Sequence, residues 1–342
     1  MKEEITYAKA GVDISKIKKA HKFIADLLKE TFSSREGKFG RVLTEIGHYA
    51  GLIDIGNNKA LALHTDSVGT KVLIAQALDK YDTVGIDCVA MSVNDIICMG
   101  AEPVAFVDYI GIEEPNDEMI KEITKGLVEG AKQADVAIVG GETAVVKDLL
   151  KGIKGKGFDL VGMIVGVVNK DKIITGEKIK FGDIVIGLES SGIHSNGLTL
   201  ARKVLSKEQY KELLKPTLIY VKPVLEIIKN CEVHGLANIT GGAFSKLMRI
   251  GEEAGVGFLL DNMPELPRIF KLIQKKGKVS DKEMYRTFNC GIGFCVVVPD
   301  NESEKVIDIC KKHGINARKI GKIVEEKDVK IKTSFGIISV LI

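Results

Sequence analysis

The stretch "DCVAMSVNDIICMG", residues 87–100, decides the fold of the first half of the chain. It is apolar nearly all round, and a helix with that pattern is buried on all sides. Gly100 can end the helix, and "PVAFVDYIGI" at 103–112 follows as a strand-like run. Asn94 and Asp95 interrupt the apolar residues, and an acid is costly to bury without a cation or hydrogen-bond donors. The pattern predicts a buried helix beside a sheet, with a polar pocket at Asn94 and Asp95.

Strand-like and helix-like segments alternate on both sides of this helix. The residues from Lys59 to Thr65 alternate as a strand does, and Asn116 can cap a helix that runs to about Ala134. The apolar run "FDLVGMIVGVV" at 158–168 predicts a longer strand. This order predicts an α/β layer whose sheet is covered by helices on one side.

The composition changes around residue 170. The segment "NKDKIITGEKIKFGD" at 169–183 is polar, rich in lysine and punctuated by glycine, and the alternation of strands and helices resumes after it. A chain of 342 residues is longer than most single hydrophobic cores. We therefore expect two domains, at residues 1–170 and 171–342.

Charge and hydropathy exclude several classes of protein. The net charge of +3 is too small to favour nucleic acid or an anionic membrane as a partner. The first residues lack the apolar core of a signal peptide, and the longest uncharged apolar run, 160–168, is too short to span a membrane. The six cysteines contain no Cys-x-x-Cys pair, which favours buried free thiols over zinc or disulfides. These features predict a cytoplasmic protein.

Glycine-bearing polar clusters follow several of the predicted strands. They are "TDSVGTK" at 65–71, "GGET" at 140–143, "SSGIHSNG" at 190–197 and "TGG" at 240–242. Loops between strand ends and helix starts are where α/β proteins bind ligands, and their backbone N–H groups suit anions. The first cluster combines an acid, a hydroxyl and a lysine but lacks the P-loop pattern. The clusters predict a phosphate-binding site of another kind.

Structural explanations for the same residues stay open at this point. Asp87 can cap a helix, Glu142 can face solvent, and Lys71 can be a solvated lysine at a helix start. A lone histidine such as His194 is more often structural than catalytic, although its pKa range suits acid–base chemistry. Arg286 can bind phosphate or form an ion pair between domains.

Taken together, these motifs resemble the phosphoribosylformylglycinamidine cyclo-ligase family, also called aminoimidazole ribonucleotide synthetases. The matching segments occur in the family's order from residue 7 to about 295: "YAKAGVDI", "TDSVGTK", "GIDCVAMSVNDIICMGAEPVAFVDY", "VGGETA", "SSGIHSNG", "PTLIYVKPVLE", "TGGAF" and "EMYRTFNCGIG". The joint presence of "AMSVNDI", "HSNG" and "MYRTFNCG" makes the match specific.

The resemblance implies an ATP-dependent ligase of purine biosynthesis that acts with Mg²⁺. The family closes formylglycinamidine ribonucleotide to aminoimidazole ribonucleotide, with release of ADP and phosphate. It also implies a homodimer of two-domain α/β subunits. The first domain, 1–170, binds ATP and contributes its sheet to the dimer interface, and the second domain, 171–342, is of related build and completes the active-site cleft.

The resemblance further implies groups of site residues. The nucleotide is expected at Asp66, Ser67, Gly69, Thr70, Lys71, Asp87, Asn94, Gly140, Gly141 and Glu142. The substrate is expected at Ser191, His194, Ser195, Asn196, Thr240, Gly241, Gly242 and Arg286. Asp95, His194 and Lys71 are expected to be catalytic, and Asp66, Asp87 and Asp95 to hold magnesium.

The sequence also departs from the family's pattern. Many relatives have glycine where Ser67 stands, the motif usually written "TGGG" ends here in Ala243, and "VVKDLLKG" follows "GGETA" in place of an acid, methionine and proline. Two alternatives are a small-molecule kinase of the same superfamily, such as thiamine-monophosphate kinase, and a non-catalytic nucleotide-binding subunit. Phosphate release that requires formylglycinamidine ribonucleotide would distinguish the cyclo-ligase from both.

Overall fold

The computed structural model describes Thr6, Gly11 and residues 14–341, so the segment "YAKAGVDI" lies almost entirely outside the described residues. The α-helices are α1 Ile14–Lys29, α2 Val72–Leu78, α3 Val84–Ile96, α4 Asp117–Ala134, α5 Leu198–Val204, α6 Tyr210–Leu213, α7 Val221–Asn230, α8 Met248–Ala254, α9 Arg268–Gly277, α10 Asp281–Thr287 and α11 Ser303–Lys312. The strands are β1 Gly51–Gly56, β2 Lys59–Ser67, β3 Glu102–Ile112, β4 Ala137–Val145, β5 Phe158–Asn169, β6 Ile184–Glu189, β7 Gly235–Asn238, β8 Gly257–Leu260, β9 Ile292–Val298, β10 Ala317–Val324, β11 Val329–Thr333 and β12 Gly336–Ser339.

The first sheet has five strands in the order β1-β2-β5-β3-β4. Strands β3 and β4 are parallel and the other pairs are antiparallel. Helix α3 packs on one face, where Phe106 and Ile164 are fully buried. The opposite face exposes Val139 and Met163. The prediction of a sheet covered on one side is therefore confirmed.

Helix α3 is the buried helix that the sequence predicts. Nearly all of its residues are buried, and the helix continues as a 3-10 turn at Ile97–Met99 that Gly100 ends at φ +76°. Helix α4 crosses it at very short range, because a Cβ atom on Gly85 would lie 2.3 Å from the backbone nitrogen of Leu127. Asn116 caps α4 by accepting a hydrogen bond from the Met119 N–H.

The second sheet has seven strands in the order β12-β11-β8-β10-β6-β9-β7. The inner strand β9 is buried along its whole length, and the edge strand β7 beside it lies next to the end of α3. All its strands follow residue 170, and all strands of the first sheet precede that residue. Two mixed α/β units are thus confirmed, while the boundary at 170/171 stays a prediction.

The two units are joined along α3. The chain segment 215–220, which precedes α7, lies against polar side chains of this helix. Because β7 and the loops after β6 and β7 lie at the same boundary, the predicted site loops "TDSVGTK", "SSGIHSNG" and "TGG" converge there. Within the described part of the chain, no helix has both the length and the apolar character needed to cross a membrane.

Candidate active site

The loop "TDSVGTK" turns the chain from β2 into α2. Gly69, at φ +61°, opens a 3-10 turn that ends at Lys71. The Thr70 hydroxyl lies 3.2 Å from the hydroxyl of Thr199 on α5, so the loop reaches the second unit. Asp66, just before the turn, accepts a hydrogen bond of 2.8 Å from the Ser67 N–H.

The two departures from the family's glycine pattern differ in their backbone. Ser67 belongs to β2 and is not among the described residues with positive φ, so a serine there costs no backbone strain. Ala243 is fully buried with φ +44°, in the left-handed region where a side chain costs about 1 kcal/mol. The strain therefore lies in the "TGGA" turn.

Asp66 and Asp95 form an acidic pair where β2 faces α3. Burial raises the pKa of Asp66, and the charge of Asp95 raises it further. Asp95 accepts a hydrogen bond of 2.6 Å from the Asn238 amide of β7, and its other oxygen lies 3.5 Å from Nε2 of His64. A buried carboxylate whose pKa is raised by the charge of a second one marks a place that attracts a cation.

The donor set at this pair fits magnesium that arrives with a nucleotide. No group of three or more His, Cys, Asp or Glu side chains suited to a metal occurs among the described residues. Mg²⁺ is commonly held by one or two carboxylates together with phosphate oxygens and water. Asp66 and Asp95 match that arrangement.

Asp87 lies apart from the acidic pair, in a buried ion pair with Lys71. The Lys71 ammonium is 2.8 Å from both carboxylate oxygens and donates to the Lys215 carbonyl at 2.6 Å. Asp87 also accepts from the Thr217 N–H at 2.8 Å, the Thr217 hydroxyl at 2.6 Å and the Ser195 hydroxyl at 3.2 Å. These contacts favour a structural role for Asp87 and Lys71 over the metal-binding and phosphate-binding roles predicted for them.

Asn94, about two helical turns after Asp87 on α3, also binds the segment 215–220. Its amide donates to the Leu218 carbonyl at 2.7 Å, and its oxygen accepts from the Tyr220 N–H at 2.9 Å. Both polar ends of Asn94 are thus occupied by the backbone of the second unit. The polar pocket predicted at Asn94 exists, but its contents in this structure are main-chain groups.

His194 is fully buried beside the ring of Tyr220. Its Nε2 accepts from the Ser191 N–H at 3.3 Å, and its backbone has φ +58°. Burial, with a smaller contribution from the Lys71 charge, lowers the pKa of His194 to about 3. A neutral imidazole at physiological pH cannot act as a general acid, so the geometry favours positioning of the "SSGIHSNG" loop.

The "SSGIHSNG" and "TGGA" loops meet across the boundary. The oxygen of Asn196 is 3.2 Å from the position that a Cβ on Gly241 would take, while the amide nitrogen of Asn196 is buried and has no hydrogen-bond partner. Ser191 donates to the Pro216 carbonyl at 2.6 Å. The Thr240 hydroxyl accepts from the Lys246 ammonium, and Gly242, at φ +84°, starts the following turn.

Within one chain, the "GGET" segment does not face the cleft that the other predicted loops form. Glu142 is paired with Tyr109, one residue on from Asp108. Asp108 is paired with Gly162, beside α3, so alternation places Glu142 on the uncovered face of the sheet. Gly140 and Gly141 are exposed on the edge strand β4.

Arg286 lies half-buried on α10. No hydrogen bond found among the described residues connects Arg286 to the other predicted site residues. Its predicted contact with substrate stays a prediction.

Sequence reasoning missed several residues of this cleft. They include His64 and Asn238, which flank Asp95, Thr217, which binds Asp87, and Lys246, which lies near both acids. The alternation of β2 offered a signal for His64, since it lies on the same strand face as Asp66. Nothing in the spacing of the chain indicated the others, because they approach from the second unit.

Comparison with known proteins places the chain in a family. Residues 47–168 match the family described as AIR synthase related protein, N-terminal domain, and residues 180–334 match its C-terminal domain. The chain is 51% identical to the phosphoribosylformylglycinamidine cyclo-ligase of Pyrococcus furiosus, over 95% of this chain and 99% of that protein. It is 48% identical to the enzyme of the same name from Methanocaldococcus jannaschii, over 95% and 94%.

The architecture also recurs in solved structures of lower identity. A chain from the crystal structure of the HypE–HypF complex superposes with a TM-score of 0.66 at 22% identity, over 92% of this chain and 98% of that one. That likeness concerns the fold. The domain matches and the full-length identities show that the chain belongs to the AIR synthase related family, among its phosphoribosylformylglycinamidine cyclo-ligases.

Proposed function

We propose that this chain catalyses the ATP-dependent closure of formylglycinamidine ribonucleotide to aminoimidazole ribonucleotide, with ADP and phosphate as the other products. The observation that carries the proposal is the 51% identity to a cyclo-ligase over nearly the whole chain. The relatives cover both units, including every loop that meets at the boundary between them.

The chemistry explains why such a site needs little covalent catalysis. Ring closure must remove the oxygen of a formyl amide, which is a poor leaving group. Transfer of the γ-phosphoryl group to that oxygen gives an iminophosphate. The amidine nitrogen then attacks the activated carbon and phosphate departs with the oxygen. The protein must align the reactants and neutralise phosphate charge.

The acidic pair supports the nucleotide part of the proposal. Asp66 and Asp95 would hold Mg²⁺ with the phosphates of ATP, and magnesium would supply positive charge for the transferred group. Ser67, Gly69 and Thr70 line the same loop. The "SSGIHSNG" and "TGGA" loops lie across the boundary, where they would meet the substrate.

A homodimer built on the first sheet is also part of the proposal. Its uncovered face exposes Val139 (66%) and Met163 (41%). Helix α1 exposes a further apolar row that includes Phe23 and Leu27. Exposed apolar surface of this kind favours a protein interface, and a second copy would also bring a partner surface to Glu142.

The direct test follows the formation of aminoimidazole ribonucleotide by purified protein with ATP, magnesium and formylglycinamidine ribonucleotide. The product should appear together with ADP, and phosphate release should require the substrate. Release with thiamine monophosphate as the acceptor would favour the kinase, and no release with either would favour a non-catalytic subunit.

The Asp95→Asn variant tests the acidic pair. The substitution keeps the shape of the side chain but removes the charge expected to hold magnesium. Turnover should fall by two orders of magnitude or more, roughly the loss of one strong electrostatic contact, while the unfolding midpoint changes little. Wild-type turnover at saturating magnesium would remove Asp95 from the site.

A further inference from the structure

Lys246 brings a cation to the acidic pair from the opposite unit. It lies in the 3-10 turn Ala243–Leu247, and its ammonium donates to the Thr240 hydroxyl. The same ammonium is 5.6 Å from the ring centroid of Tyr49, and the guanidinium of Arg249 is 5.1 Å from that centroid. Tyr49 is fully buried, and both cations lie within cation–π distance of its ring.

The charged groups around Lys246 suit a site that binds an anion together with a metal ion. Burial lowers the pKa of Lys246, the charges of Asp95 and Asp66 oppose that effect, and Arg249 reinforces it. The Lys246 ammonium thus lies near two carboxylates of the first unit, with Arg249 as a second cation beside it. Binding of magnesium by the carboxylates would leave the cations uncompensated, and an anion would then be needed beside them.

Lys71 cannot supply this anion contact, whereas Lys246 can. The ammonium of Lys71 is fully buried and occupied by Asp87 and the Lys215 carbonyl. The ammonium of Lys246 has three N–H donors, and within the part of the chain that the structure describes one of them is used, in the hydrogen bond to the Thr240 hydroxyl. A phosphate next to two carboxylates is repelled unless a metal ion bridges them, so the phosphate at this place is one that shares magnesium.

We propose that Lys246 binds the γ-phosphate of ATP, with Arg249 as the supporting cation. This inference rests on the proposed use of ATP and specifies which phosphate the second unit holds. It gives the first unit the metal-binding acids and the second unit the countercharge for the group that is transferred. Phosphoryl transfer would therefore require both units in place.

Nucleotide affinity tests the assignment without turnover. Dissociation constants for ADP and for a non-hydrolysable ATP analogue, each with magnesium, are measured by calorimetry for the wild type and Lys246→Met. The analogue should bind at least ten-fold more weakly to the variant, and ADP less than three-fold. Lys246→Arg, which keeps the charge, should retain most of the analogue affinity.

The matched control is Lys275→Met, the same substitution at an exposed position of α9. It should leave both affinities unchanged. Equal weakening of ADP and analogue by Lys246→Met, or of neither, overturns the proposal. Loss of formylglycinamidine ribonucleotide binding with unchanged analogue binding also overturns it and assigns Lys246 to the substrate phosphate.

Two features keep this test independent of stability and of the ring-closure reaction. The ratio of the two affinities is measured on folded protein, so a variant with a lower unfolding midpoint but a wild-type ratio still contradicts the role of Lys246. If the wild type binds the analogue through Lys246 but forms no aminoimidazole product, the proposed function fails and the phosphate contact stands.

Discussion

The ion pair of Lys71 and Asp87 has no exposed surface, which determines how substitutions there act. Lys71→Met leaves the Asp87 carboxylate buried without its cation, and the expected loss is about 3–5 kcal/mol of unfolding free energy. Urea unfolding measures this loss. Folded Lys71→Met should still bind the ATP analogue with near wild-type affinity.

The exposed pair Lys80–Asp82 provides the control. Lys80→Met should cost less than about 1 kcal/mol, because water screens that pair. A Lys71→Met protein of wild-type stability that has lost nucleotide affinity would restore Lys71 to the phosphate site.

The lowered pKa of His194 predicts that the stability of the protein depends on pH. Its pKa is lowered to about 3 in the folded protein and lies near 6.5 in an unfolded chain. Below about pH 6.5 the unfolded chain therefore binds a proton that the folded chain excludes. The contribution of His194 to stability is full above that pH and falls, by at most about 1.4 kcal/mol per pH unit, as the pH decreases toward 3.

Urea unfolding between pH 7.5 and 4.5 measures this effect. His194→Asn removes the titrating group, and asparagine tolerates the left-handed backbone at this position. The variant should lose less stability on acidification than the wild type. The slope will not vanish, because burial also lowers the pKa of His48. Identical slopes would contradict the assignment.

The sequence predicted which residues lie at the site better than it predicted what each of them does. The motifs indicated Asp66 and Asp95, and the structure brings them together. The same motifs grouped Asp87 and Lys71 with them, because a one-dimensional pattern does not show which carboxylates share a cavity. Besides Lys71, the groups that occupy Asp87 come from Ser195 and Thr217, more than a hundred residues away in the chain.

At the scale of elements, the contact between α3 and α4 depends on glycine. A Cβ on Gly85 would lie 2.3 Å from the Leu127 nitrogen and 2.4 Å from the Ile123 carbonyl oxygen, so the helices would have to separate. Gly85→Ala should cost about 1–3 kcal/mol through overpacking, measured by chemical unfolding. Gly140→Ala is the control, since a Cβ there meets nothing within 4 Å. Equal stability of both variants would show that the helices adjust freely.

Long elements with strong patterns were predictable, whereas several short ones were not. Helices α3 and α4 follow the predicted bounds closely, since an apolar helix and an asparagine cap are local signals. Strands β1, β11 and β12 were not predicted, nor was helix α10. These are short, and their apolar residues pair with partners distant in the chain, which no local period reveals.

At the scale of the whole molecule, the uncovered face of the first sheet predicts association. Met163→Glu or Val139→Asp places a charge on that face and should convert a dimer into monomers, measured by sedimentation. Phe335→Glu is the control, because Phe335 is 91% exposed on the turn between β11 and β12. A dimer that survives both charged substitutions, or dissociates with Phe335→Glu, would place the interface elsewhere.

The attachment of residues 215–220 to α3 has a consequence for sequence variation. The partners that Lys71, Asp87 and Asn94 find there include the main-chain groups of residues 215, 217, 218 and 220. Substitutions at 215 and 218 should therefore leave these contacts between the segment and α3 intact. A library at 215 and 218 should accept many residues, whereas proline at 217 or 220 should be rejected because it would delete an N–H on which the junction depends.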